Sequence, residues 1–156
     1  MNRKSEIERN LDEVKEKISA VADHEVVLIA VTKSFPASDV EILSQLGIKD
    51  FGENRDAEGV EKSQVVAGTW HFQGQIQSNK LKSITSWASV IHSLDDLRHF
   101  QLIEKYAPHP LSMFLQVSLD DGKLFKTLFT GNHGSSTAFG ADSFCLRAVT
   151  ADSHGL

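Results

Sequence analysis

Apolar residues recur along this chain in two rhythms. Ile7, Leu11, Val14, Ile18 and Val21 are spaced by four and three, the stripe of an amphipathic helix, with Ser5 placed to cap it and charges on the opposite face. After a polar break, Val26 to Val31 form an unbroken apolar run of six residues, four of them β-branched. This predicts a strand over 26–33 buried on both faces, as in a parallel sheet covered by helices. Thr32 and Lys33 stand where that strand runs out, and Pro36 marks a turn. Ser38-Asp39-Val40-Glu41 has the form of a capping box, with Val40, Ile42, Leu43 and Leu46 as the apolar side and Gly47 as the close.

The alternation continues. A short strand over Ile48 to Phe51 precedes Gly52-Glu53-Asn54. A polar stretch from Arg55 to Ala67 carries only a weak helical stripe (Ala57, Val60, Val65), which Gly59 weakens further. Trp70-His71-Phe72 predicts a third strand, and Ser78 caps a helix through Leu81 and Ile84. Val90-Ile91-His92 is a fourth strand, ahead of a helix using Leu97, Phe100, Ile103 and Tyr106 that Pro108 stops. Met113 to Val117 gives a fifth.

Strand and helix in strict turn imply parallel strands joined by right-handed crossovers, an α/β fold. Lys33, Asn54, His71 and Ser93 all fall at or near strand carboxyl ends, where barrel folds gather their chemistry. No linker interrupts the chain before residue 119. From about Lys123 the character changes, and the remainder to Leu156 is rich in Ser, Thr, Ala, Gly and Asp without an apolar period.

Composition narrows the function classes. With 156 residues, 40% of them hydrophobic and 24% charged, the chain has the make-up of one ordinary globular domain. A net charge of −5 argues against nucleic-acid binding through a basic surface. The longest apolar run is too short to span a membrane. The first residues, Met1 to Glu6, lead into no apolar segment, so no secretory signal is expected. The lone Cys145 excludes an internal disulfide and suits a cytoplasmic setting, and the scattered histidines show no zinc-site spacing.

Four motifs then carry a resemblance. Ala30-Val31-Thr32-Lys33, Phe51-Gly52-Glu53-Asn54, Trp70 through Lys80 (with His71-Phe72-Gln73-Gly74 and Gln77-Ser78-Asn79-Lys80) and Ile91-His92-Ser93 stand in the order and spacing of the pyridoxal-phosphate homeostasis protein family. The likeness covers roughly residues 5 to 121. It implies a (β/α)8 TIM-barrel fold, of the alanine-racemase N-terminal type, truncated to about its first half. It further implies pyridoxal 5′-phosphate carried on a lysine as a Schiff base, without well-established catalysis. Partners on this reading are the cofactor and PLP-dependent apoenzymes, with neither nucleic acid nor membrane. By position, Lys33 matches the Schiff-base lysine, while Asn54, His71 and Ser93 lie on motifs that line the same pocket.

The residue chemistry accommodates those roles. Imine formation needs an uncharged amine, so Lys33 should be desolvated or near another cation, and the mouth of a packed barrel would supply the former. Asn54 can hydrogen-bond a ring oxygen or a water, or serve as a cap; His71 can stack on a ligand or sit as a satisfied polar core group. Ser93 can line the pocket or simply start a helix. Asn79 and Lys80 are expected at the surface, Lys80 adding positive potential, and Trp70, Phe72 and Trp87 in the core.

The family's second half does not match. Its phosphate cradle lies on late loops, with segments of Ser-Met-Gly-Met-Ser and Arg-x-Gly types, which are not found here. Residues 1–121 are therefore expected to form the N-terminal part of the barrel, and 122–156 an atypical tail. Backbone N–H groups of Thr130 to Thr137 are a weak substitute for the cradle. Three readings follow: a non-catalytic cofactor carrier, a racemase- or decarboxylase-type enzyme, or a truncated non-functional half barrel. Two-base racemisation needs an acid–base residue from a further domain for which this chain has no room, which favours the carrier.

Overall fold

The strands lie across the sheet in the order in which they occur in the chain, and every neighbouring pair is parallel. The computed structural model describes residues 2–117 and 149–150. Helix α1 (Arg3–Ser19) precedes strand β1 (Ile29–Val31), after which the elements alternate: α2 (Ala37–Gln45), β2 (Asp50–Glu53), α3 (Asp56–Val65), β3 (Thr69–Phe72), α4 (Leu81–Trp87), β4 (Val90–Leu94), α5 (Leu97–Tyr106) and β5 (Ser112–Val117). A two-residue strand, β6 (Val149–Thr150), lies beside β5. A strand order without reversal is the winding of a barrel; a doubly wound sheet turns back at a switch point.

Register and alternation assign the two faces. Phe51 is level with Ala30 and Trp70, and Phe72 with Ile91. These residues point toward the helices, where Phe51, Trp70, Phe72 and Ile91 are buried against Leu81, Ile84 and Trp87 of α4. Trp87 meets Trp70 and Phe72 edge-on, with ring centroids 6.4 and 6.1 Å apart, the geometry that aromatic quadrupoles favour. Burying each large side chain is worth about 1.5–3 kcal/mol. Trp70, Phe72 and Trp87 are therefore core, as the apolar pattern predicts.

Several local expectations are corrected. The first strand is three residues long, not eight; Val26 and Val27 precede it and are 44% and 62% exposed. Its only neighbour among the described residues is β2, and Val31 on the face away from the helices is exposed. A run of β-branched residues raises strand propensity, but pairing and burial decide how much of it becomes strand.

At α1 the cap is Asn2, whose side chain accepts from the Lys4 N–H at 3.1 Å, rather than Ser5. Helix α2 starts at Ala37, so Ser38 lies inside it and cannot cap it. Asp39 of that first turn instead receives the Arg3 guanidinium at 2.5–3.2 Å, fastening α1 to α2. Gly47 closes α2 with φ +89°, as expected. Helix α3 forms in spite of Gly59 because the glycine makes room: a Cβ there would lie 2.3 Å from the Trp87 ring.

Candidate functional site

Thr32 and Lys33 leave β1 in opposite directions. The Thr32 N–H still pairs with the Gly52 carbonyl (2.9 Å), and its hydroxyl turns to the helix side, donating to Glu53 Oε1 at 2.6 Å. Lys33, next along, is exposed, and its amine has no hydrogen bond or ion pair among the described residues. The expected desolvation of Lys33 is thus corrected: the strand has ended, and the lysine rides on the outside of a tight turn. That turn is closed by the Phe35 N–H on the Thr32 carbonyl (3.0 Å), with Ser34 at φ +67°. A positive φ at the third turn position is the type II pattern, normally given to glycine.

Behind the turn lies a buried network. Lys62 of α3, 3% exposed, directs its ammonium at three acceptors: Glu53 Oε1 (2.6 Å), the Thr32 carbonyl (2.8 Å) and Glu58 Oε2 (2.9 Å). Glu58 Oε2 also receives the Ser34 N–H at 2.8 Å, and its other oxygen receives Arg55 at 3.2 Å. Burial opposes the Lys62 charge, but hydrogen bonds and attraction from Glu53 and Glu58 outweigh it, and its pKa is raised. Hydrogen bonds from Lys62 and then Ser34 lower that of Glu58. Glu53 is fully buried, and its Oε2 has no hydrogen-bond partner among the described residues.

Across the other face runs a row of imidazoles. His71 Nε2 lies 3.0 Å from Asp50 Oδ1, and its Nδ1 lies 2.9 Å from His92 Nε2. A carboxylate only accepts, so His71 donates to Asp50 through Nε2 and, when neutral, accepts at Nδ1 from the His92 N–H. His92 stacks on Phe114 at 4.6 Å. Burial first, and then the neighbouring His71, lower the His92 pKa to about 4.

The four sequence-derived candidates are distributed unequally over this geometry. Extending the ladder past the strand ends puts Lys33 level with Asn54, Asn54 with Gln73, and Gln73 with His92. His71 lies two rows deeper, level with Val31 and Gly52, with both ring nitrogens engaged. Asn54 is exposed and lines a cleft of about 360 Å³ with Phe72, Gln77 and Lys80, a cleft that Lys33 does not line. Buried Ser93 donates its hydroxyl to the Gly74 carbonyl; Asp96, not Ser93, caps α5. Gly74 itself must be glycine, because a Cβ would lie 2.3 Å from the Asn54 carbonyl.

Sequence reasoning missed Glu53, Glu58, Lys62 and His92 as participants. The signals were present: Glu53 alternates with buried Phe51, Glu58 and Lys62 are one helical turn apart, and counting register raises His92 to the level of Lys33. Among the described residues no group of His, Cys, Asp or Glu is placed to hold a metal, and no helix is long and apolar enough to cross a membrane.

A parallel sheet wound in one direction, its strands joined by helices, defines an α/β protein of the class that gathers its chemistry at the strand carboxyl ends. No family model matches the chain. A pyridoxal phosphate homeostasis protein of Mycobacterium bovis is 32% identical over 184 residues, covering 99% of this chain and 68% of the relative. That of Mycobacterium leprae is 32% identical over 146 residues, covering 76% and 57%. The chain belongs to the pyridoxal phosphate homeostasis protein family. It spans about 57–68% of the length of these two relatives. In structure it is similar to PipY of Synechococcus elongatus with PLP bound, at TM-score 0.61 and 27% identity, covering 74% of this chain and 55% of that one.

Proposed function

We propose that this chain binds pyridoxal 5′-phosphate covalently through Lys33 and serves as a cytoplasmic carrier of the cofactor for PLP-dependent apoenzymes, rather than as a catalyst. The observation that carries the reading is the Lys33 turn: an amine unpaired among the described residues, at a strand carboxyl end, on a backbone fixed from behind. Family membership and the PLP-bound likeness of PipY support it. The cofactor supplies an aldehyde carbon, to which an uncharged amine adds with loss of one water.

The described residues fit the aldehyde end of such a ligand. Lys33 offers the nucleophile, with no competing partner among the described residues. Asn54, at the end of the neighbouring strand, would supply an amide to ring substituents. His71 acts through His92, whose Nδ1 has no partner among the described residues. Ser93 fixes the Gly74 loop against β4 and so shapes the rim. On this proposal residues 1–121 are the lysine-bearing half of a (β/α)8 barrel; 122–156 lie almost wholly outside the described residues. Titration of the protein with PLP should produce an imine absorbance that is lost in Lys33→Ala. An unchanged spectrum in that variant would remove Lys33 from the site.

A further inference from the structure

We infer that Glu58, held by Lys62, which Glu53 pairs in turn, is a positioning group for Lys33: it sets the backbone turn that aims the amine. The inference rests on the cofactor reading above and deepens it. All three donors of the Lys62 ammonium are spent on atoms that flank Lys33 or on carboxylates that bind those atoms. One fixes the Thr32 carbonyl, another the carboxylate that holds the Thr32 hydroxyl, and the last the carboxylate that holds the Ser34 N–H. Lys33 is thereby clamped on both sides while its own amine has no partner among the described residues.

Stability does not account for such a network. A buried ion pair roughly breaks even against well-packed apolar side chains of the same volume. What it adds is direction. Ser34 sits at φ +67°, a conformation in which a residue bearing a Cβ is strained. The hydrogen bond from its N–H to Glu58 holds it there. Without that hold the turn can relax and carry the amine away from the rim, and small misplacements of a reacting group cost rate steeply.

The decisive variants are Glu58→Ala, which leaves Lys62 paired with Glu53, and Glu58→Ala combined with Ser34→Gly. Glycine takes the left-handed conformation without strain, so it should restore the turn without restoring the carboxylate. In Glu58→Ala we expect imine formation with PLP about ten- to a hundredfold slower. Amide exchange at Ser34 and Phe35, measured without PLP, should be faster by about tenfold. The double variant should recover most of the rate.

Glu53→Gln, Glu58→Ala and Lys62→Met combined, which removes the acceptor of the Ser34 N–H without stranding a buried charge, provides the same comparison if Glu58→Ala alone does not fold. Should wild-type protein acquire no label at Lys33 after borohydride reduction, the cofactor reading falls and takes this one with it. Should wild type label at Lys33 while the variants label as fast, with unaltered Ser34 exchange or without rescue by glycine, the positioning role alone is overturned.

Discussion

Two lysines lie on either side of one turn, and they could hardly differ more. Lys62, on the helix face, is buried and has every donor matched by an oxygen. Lys33, on the far side of the same backbone, is exposed and unpaired among the described residues. Burial alone does not make an amine reactive. Two carboxylates hold Lys62 in its charged form, in which it has no lone pair to give. The molecule thus separates two jobs: one lysine is a fixed charge that organises the strand end, the other an amine left free at it.

The comparison breaks first at Lys62. Lys62→Ala strands the Glu53 carboxylate in the core and should cost about 3–5 kcal/mol in urea unfolding. If that variant unfolds at the wild-type midpoint, Lys62 organises nothing. Gly59→Ala attacks the same helix from its other side, driving a methyl into Trp87; overpacking of this kind should cost about 1–3 kcal/mol. A neutral result there would mean that α3 is not seated as described.

Acid sharpens the contrast between the two faces. His92 has a folded pKa of about 4 against 6.5 for the unperturbed group, so the unfolded chain takes up the proton first. Stability from this residue is complete above pH 6.5, declines as pH falls toward 4 and levels off below. Glu58, whose pKa is lowered, adds a further loss only below its ordinary value of 4.5. Urea midpoints measured from pH 7.5 downward should therefore fall on the histidine face before the carboxylate face contributes. His92→Gln should flatten the first decline. An undiminished slope in that variant would assign the proton elsewhere. Smallest of all, Lys33→Ala should shift stability by no more than about 0.5 kcal/mol.

Much of this arrangement is legible in the residues. The alternation of strand and helix, the carboxyl-end position of Lys33 and the aromatic core of Trp70, Phe72 and Trp87 all follow from apolar spacing. Its failures have physical causes. Val26 and Val27 have the propensity of a strand but no neighbour to pair with among the described residues. Gly59 reads as a helix breaker until Trp87 is packed against it. His71 stands out in its motif, yet it is His92, bonded to His71 and one residue past the last paired position of its strand with β3, that lies nearer the strand ends. Lys62 is hidden for a different reason: in a polar helix it looks solvated, and only the three-dimensional meeting of β1, β2 and α3 buries it. A buried-looking strand ahead of Lys33 predicts a desolvated amine, whereas the turn after Thr32 exposes it.

The most direct test of the two-lysine account is borohydride reduction of PLP-treated protein followed by peptide mapping. The account predicts one labelled residue, Lys33, with Lys62 unmodified in folded protein. A label on Lys62 or on Lys80, or none at all, would contradict it.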